Sequence, residues 1–318
     1  MRAGVSSIRE TALIEAGGTG VRLAVAGPEG PSGIRRIMFP ADGSLVSTAA
    51  TLDLIVATAV DVLGQSPTRA VVAWPGPVSP DGTALATPTV SGGIERLDVG
   101  PELSRRLDNA DVHVINDLTA AGLALAAGGL HDFAVITVGS GIGHKVFAGG
   151  KPVVGPGGRG GELGHLVVDW SPTAAACDCG GRGHLGAMAS GRAIVDSVVA
   201  LWDGEHAAPG HRDDRGAEVA AALRAGDEAV MTVVADRARR LGWGLATLHV
   251  GVGVETFVLV GGFAPAAGEF FRAEVVRGAA ESCWNLGFDW DGAVLVSEPD
   301  DAPGLAGAWL AAQSLGWT

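Results

Sequence analysis

A duplicated α/β fold, two lobes with a central cleft, is what the amino-acid sequence predicts, and three observations predict it. Short apolar runs rich in Val, as expected of strands buried on both faces, alternate with segments of helical apolar spacing. A hairpin-like stretch opens this alternation, and a second hairpin restarts it midway along the chain. The 318 residues, 47% of them hydrophobic, exceed what one typical domain requires.

In chain order, residues 1–10 are polar and read as a frayed end. "TALIEAG", a "GTG" turn, "VRLAVAG", a Gly/Pro turn and "GIRRIMFP" give a three-stranded meander. "STAATLDLIVATAVDVLG" has helical spacing, "RAVVAWPG" is a buried strand, a helix around 101–108 precedes the strand "VHVIND", and the helix "LTAAGLALAAG" follows. "FAVITVGSGIGHKVFAGGKPVVG" then forms a hairpin turning at its glycines, and a helix-rich section covers 187–250. The strand "TFVLVGG", a helix near 266–283, the strand "GAVLVSE" and the helix "GLAGAWLAAQSLG" come last. "DGEHAAPGHRDDRG" at 203–216 is charged, carries Gly and Pro, and is expected to be an exposed loop. The expected lobes are 1–117, with a helix at about 303–318 packing back on it, and 118–302.

Composition narrows the function. A net charge of −13 opposes a phosphate-backbone footprint, so nucleic acid is not an expected partner. No signal sequence opens the chain and no apolar run reaches the roughly 18 residues of a membrane span, which predicts a cytoplasmic protein without a membrane partner. Three cysteines, two of them one residue apart, favour metal ligation over a disulfide framework, with Cys283 expected as a buried thiol.

Two glycine-rich turns stand between strands, "EAGGTG" at Glu15–Gly20 and "GSGIG" at Gly139–Gly143. Glycine lets backbone amides approach a phosphate, so the two could grip one triphosphate; each could equally be a tight hairpin. Neither carries the Lys-Ser/Thr of a Walker loop. "IND", 115–117, ends an apolar strand, where ligands bind in open α/β sheets. A carboxylate at Asp117 could take the proton of an attacking hydroxyl, or could cap a helix beginning at Leu118. His165, Cys177, Cys179 and His184, spaced H-x11-C-x-C-x4-H, are four ligands of types zinc accepts. As a metal site they leave no position for water and would be structural; the alternative is surface histidines beside incidental cysteines.

Taken together, "GGTG", "WPGPV" at 74–78, "IND", "GSGIG" and above all "GELGH…CDCGGRGH" at 161–184 resemble the ROK family of bacterial sugar kinases and related repressors, in the same order over nearly the whole chain. The resemblance implies an actin-like, RNase H-like fold, ATP and magnesium in the cleft, a structural zinc, a sugar hydroxyl as acceptor and a homodimer. By that resemblance Asp117 is the general base. Asn116, Glu162, His165 and Thr89 bind the sugar, and His165 joins Cys177, Cys179 and His184 on zinc. Gly17, Gly18, Thr19, Gly139, Ser140 and Gly141 hold phosphates, Gly261 and Gly262 lie beside the adenosine, and Glu15 serves magnesium.

Departures from the family pattern are informative. His184 replaces a cysteine; Glu15 is one methylene longer than the usual Asp; Gly20 stands where Lys is common. Gly186 occupies the place of a glutamate that contacts the sugar, and Thr89 that of a frequent Asn. A pocket without that carboxylate favours an altered substrate, an amino sugar or a C7 cyclitol of a natural-product pathway. The alternatives are a glucokinase or N-acetylhexosamine kinase, or a non-catalytic sugar sensor, against which Asp117 argues. With about ten residues ahead of the first strand, the DNA-binding module of the repressors is not expected.

Overall fold

The computed structural model describes residues 10–39, 47–79, 83–86, 95–203, 212–284, 286–298 and 302–318. They fall into two compact units: residues up to 38, 47–124 and 303–318 in one, and the described residues from 125 to 302, with Phe39, in the other.

In the first unit, strands β1 (Thr11–Ala16), β2 (Gly20–Gly27) and β3 (Gly30–Met38) make the expected meander. Helix α1 (Thr48–Leu63) starts where Ser47 Oγ accepts from Ala50 N at 3.2 Å and stops at Gly64, φ 69°. It buries Leu52, Ile55 and Ala59, a helical stripe. Next come β4 (Arg69–Trp74), a two-stranded sheet of β5 (Thr83–Ala86) and β6 (Glu95–Asp98), α2 (Val99–Arg106), β7 (Asp111–Asn116) and α3 (Asp117–Ala127). The main sheet runs β3-β2-β1-β4-β7, with β4 parallel to both neighbours and wholly buried from Ala70 to Trp74.

The second unit repeats the plan. Strands β8 (Phe133–Val138), β9 (Ile142–Ala148) and β10 (Lys151–Pro152) form its meander. Helices α4 (Leu185–Ala189), α5 (Gly191–Asp203), α6 (Arg212–Ala225) and α7 (Glu228–Val252) lead to β11 (Phe257–Val260), α8 (Phe263–Ser282), α9 (Trp290–Ala293) and β12 (Val294–Val296). The sheet order β10-β9-β8-β11-β12 has the connectivity of the first sheet, so the duplication is one of topology. Ile136, Leu241, Phe257 and Phe271 belong to the core between this sheet and its helices. Helix α10 (Pro303–Ser314) returns to the first unit, where Trp309 Nε1 donates to Gly27 O and Thr11 Oγ1 donates to Trp317 O, both at 2.7 Å.

Three readings change. The stretch 203–216 is not all loop: α6 already begins at Arg212, with Arg215 donating to Glu218 one turn on, a helical signal masked by the Gly and Pro before it. Residues 204–211 of that stretch, and 1–9 of the expected frayed end, lie outside the described residues. The β5–β6 sheet was missed because four-residue strands carry too little periodicity. Cys283 is only partly buried, at the end of α8. Among the described residues no helix is long and apolar enough to cross a membrane.

Candidate active site and metal centre

Asn116 and Asp117 sit where β7 becomes α3. The helix starts at Asp117, one residue earlier than expected, and its cap is Asn116, whose Oδ1 accepts from Thr119 N at 2.9 Å. Asn116 Nδ2 donates to Gly76 O at 2.9 Å and to Asp117 Oδ1 at 2.8 Å, and Leu118 N donates to the same Oδ1 at 2.8 Å. The "WPGPV" motif thus supplies a carbonyl, from Gly76 at φ 85°, that orients Asn116. The Asp117 carboxylate lies half-buried on the first turn of a helix, where the backbone dipole favours negative charge.

In the same unit, Gly17, Gly18 and Thr19 form the β1–β2 turn, closed by Gly17 N donating to Gly20 O at 2.9 Å. A Cβ on Gly20 would stand 2.1 Å from Ile37 O, so no side chain, lysine included, fits there. The nearby cation is Arg22, whose Nη1 donates to Glu15 Oε2 at 3.0 Å. Glu15's extra methylene is accommodated by Gly304 on α10, where a Cβ would meet the Glu15 carboxyl at 2.6 Å. Magnesium prefers such a carboxylate oxygen, and the Arg22 bond uses only one of the two, so Glu15 fits the ion.

In the second unit the β8–β9 turn holds Gly139, Ser140 and Gly141, with Gly139 N donating to Gly141 O at 3.1 Å. Gly139 O accepts from Arg192 N at 3.1 Å, so the N-terminus of α5 abuts this turn. Gly261, at φ 98°, follows β11, and Gly262 caps α8.

Glu162 and His165 bracket a single 3-10 turn, Leu163–His165. Residues three apart eclipse in a 3-10 turn, so the two exposed side chains share one side while Leu163 and Gly164 are buried. Gly164 lies directly on β9: its Cβ would come within 2.2 Å of Ile142 O. Gly186 backs the turn, its Cβ position 3.1 Å from Gly164 O. Thr89 lies outside the described residues.

His165, Cys177, Cys179 and His184 are brought together, their ligand atoms all within 4.8 Å of one another. His165 Nδ1 is 3.4 Å from His184 Nδ1 and 3.8 Å from Cys177 Sγ; Cys179 Sγ is 3.2 Å from His184 Nδ1. Zinc with N and S ligands at about 2.0–2.3 Å in a tetrahedron sets donors roughly 3.3–3.8 Å apart, so the set fits zinc. Both histidines turn Nδ1 to the cluster, leaving Nε2 of His165 as its other ring nitrogen. Burial holds the Cys177 thiol above its usual range and His184 below its own, His184 further by His165. The imidazole at 184 has room because residue 181 is glycine: a Cβ there would lie 2.4 Å from His184 Cε1.

The first unit therefore gathers Glu15, Gly17–Thr19, Asn116 and Asp117, and the second gathers the remaining predicted residues other than Thr89. Arg22 and Gly304 were not singled out from sequence, and Gly76 and Gly181 entered only as members of quoted motifs without a part of their own, because these parts depend on strand register and long-range packing; the arginine in an otherwise apolar β2 was the available signal for Arg22.

Two sheets of one connectivity, each with a glycine turn after its first strand, define the actin-like ATPase class of folds. The chain belongs to the ROK family, whose model matches residues 11–314. It is 39% identical over 272 residues to the C(7)-cyclitol 7-kinase of Streptomyces hygroscopicus subsp. jinggangensis, covering 80% of this chain and 76% of that one. With N-acetylmannosamine kinase of Escherichia coli O1:K1 it shares 34% identity over 201 residues, 62% of this chain and 67% of the relative. The solved ROK glucokinase of Streptomyces griseus, in complex with glucose and AMPPNP, has the same fold, with a TM-score of 0.78 at 24% identity over 96% of this chain and 99% of that one.

Proposed function

We propose that this chain transfers the γ-phosphoryl group of ATP to a hydroxyl of a C7 cyclitol, with Asp117 as general base. The observation that carries the catalytic reading is the Asn116–Asp117 pair: Asn116 caps the helix, so the Asp117 carboxylate is not needed as the cap. Asp117 would accept the hydroxyl proton as the acceptor oxygen bonds to the γ-phosphorus and the bridging bond to ADP breaks. The β1–β2 and β8–β9 glycine turns would hold the phosphates through backbone N–H groups, Gly261 and Gly262 would lie beside the adenosine, and Glu15 would serve magnesium, which neutralises phosphate charge when bound.

Glu162 and the Nε2 of His165, on one side of their turn, would bind acceptor hydroxyls, as would Asn116 and Thr89. His165, Cys177, Cys179 and His184 would hold a zinc that fixes the His165 ring. The cyclitol is favoured over glucose by the higher identity to the cyclitol kinase and by Gly186, which brings no carboxylate to the end of the acceptor where a carbocycle, without ring oxygen or hemiacetal, differs from a hexose. A cytoplasmic protein fits the ATP donor and the free thiols. A homodimer is supported by the exposed apolar Trp243 and Val250, seven residues apart on α7.

The test is ADP release from Mg-ATP with glucose, N-acetylmannosamine and carbaglucose, a cyclitol in which CH2 replaces the ring oxygen. The highest kcat/KM is expected on carbaglucose, with the phosphorylated product seen by mass spectrometry. Preference for glucose or N-acetylmannosamine would overturn the cyclitol, and melting-temperature shifts without turnover would favour a sensor.

A further inference from the structure

We infer that His144 and Lys145 are positioning residues that hold the Glu162–His165 turn against β9 from both faces of the sheet, and so set acceptor affinity. The inference rests on the reading of Glu162 as an acceptor-binding residue.

The argument begins at a sheet edge. β10 pairs with β9 at Phe147 and Ala148 and the next residue, Val153, donates to Val146 O, so among the described residues no strand takes the outer edge of β9 along 142–145. The segment 160–164 runs along that edge. His144 N donates to Gly161 O at 2.8 Å, a ladder-like bond that places Glu162 next to the strand. The approach is close enough that a Cβ on Gly161 would meet His144 O at 2.1 Å.

Two side chains complete the contact. Leu163 N donates to His144 Nδ1 at 3.2 Å, and Lys145 Nζ donates to Gly160 O at 2.5 Å. Successive residues of a strand point to opposite faces, so the bonds reach the segment from two sides and straddle Glu162. Lys145 is 2% exposed, and an ammonium is rarely buried to that extent without a specific task. A carboxylate that binds hydroxyls is useful only when its backbone is fixed, and Glu162 itself is exposed, so the fixing falls to its neighbours.

The test uses the zinc-loaded protein and calorimetric titration with glucose and with carbaglucose, beside kinetics on Mg-ATP. Lys145→Met and His144→Leu each remove one clamp bond; His144→Asn keeps an acceptor near the Nδ1 position. Loss of a bond to a charged donor of this kind predicts an acceptor Kd raised about tenfold in Lys145→Met, with KM for Mg-ATP and zinc content unchanged. His144→Leu is expected to weaken acceptor binding and His144→Asn to restore most of it. Equal weakening of acceptor and Mg-ATP, or identical behaviour of the two His144 variants, would overturn the clamp.

Glu162→Gln separates the clamp from the reading beneath it. Weaker acceptor binding in Glu162→Gln with an unchanged Lys145→Met would remove the clamp alone. An unchanged Glu162→Gln, or a wild-type protein that binds neither polyol, would remove the acceptor role of Glu162 and the clamp with it.

Discussion

Glu15 and Arg22 stand opposite each other in the β1–β2 pairing, joined by a bond of 3.0 Å from Arg22 Nη1 to Glu15 Oε2 at the glycine turn assigned to phosphates. Removing Arg22 leaves a carboxylate without this cation beside the proposed place of a triphosphate. Arg22→Ala is therefore expected to raise KM for Mg-ATP about tenfold, the scale of one charged hydrogen bond, while KM for the acceptor stays level. Glu15→Gln should instead raise the magnesium concentration needed for half-maximal rate. Steady-state kinetics with ATP and magnesium varied separately would check both, and unchanged values would reduce the pair to scaffold.

Asp117 and Asn116 are adjacent yet predict different losses. Asp117→Asn keeps the side-chain volume and removes the proposed base, so kcat should fall by about 10²–10⁴ with little change in melting temperature. Asn116→Ala removes the cap of α3 and costs about 1 kcal/mol of stability as well as activity. Thermal melts beside kcat distinguish them; a stable, inactive Asn116→Ala would count against its capping role.

At the candidate metal centre, Gly181→Ala should lower zinc content, because the added methyl meets the His184 ring. His184→Cys, whose thiolate is smaller and an equally good ligand, should bind zinc by itself and tolerate alanine at 181 in the double variant. Zinc per chain, measured by elemental analysis after chelation and reloading, reads this directly. Equal zinc in all three variants would mean that Gly181 makes no room for the imidazole.

Burial holds His144 down at about 4, with the bond to Gly161 opposing and the Lys145 charge assisting. Above pH 7 the ring is neutral in folded and unfolded chains alike. Below the unfolded value near 6.5 the unfolded chain gains a proton that the folded chain refuses until about 4, so stability falls as pH falls through that window. The total is on the order of 3 kcal/mol. Denaturant melts between pH 4 and 7 should show this slope in wild type, and a shallower one in His144→Asn.

Much of the architecture was legible because its signals are local. Glycine turns between alternating strands mark both hairpins, and the Cys-x-Cys spacing between two histidines marks the loop whose four ligand-type side chains come together. Asp117 was legible as a residue at a strand end; that Asn116 rather than Asp117 accepts from Thr119 N was not, because Asn and Asp cap helices about equally well. The Glu15–Arg22 pair depends on register, and Gly304 meets Glu15 from the far end of the sequence, relations that no window of residues contains. His144 and Lys145 passed as ordinary hairpin residues because the segment they hold lies well downstream.

The return of α10 to the first sheet has a consequence for biosynthesis. Thr11 and Gly27 wait for partners at Trp317 and Trp309, which leave the ribosome only after every residue of the second unit. A chain ending at residue 302 holds every residue of the second unit, so that unit can close, whereas the first stays open along β1 and β2 for want of its last helix. A released chain truncated after residue 302 should therefore resist protease over 133–203 and 212–284 and remain cleavable near β1.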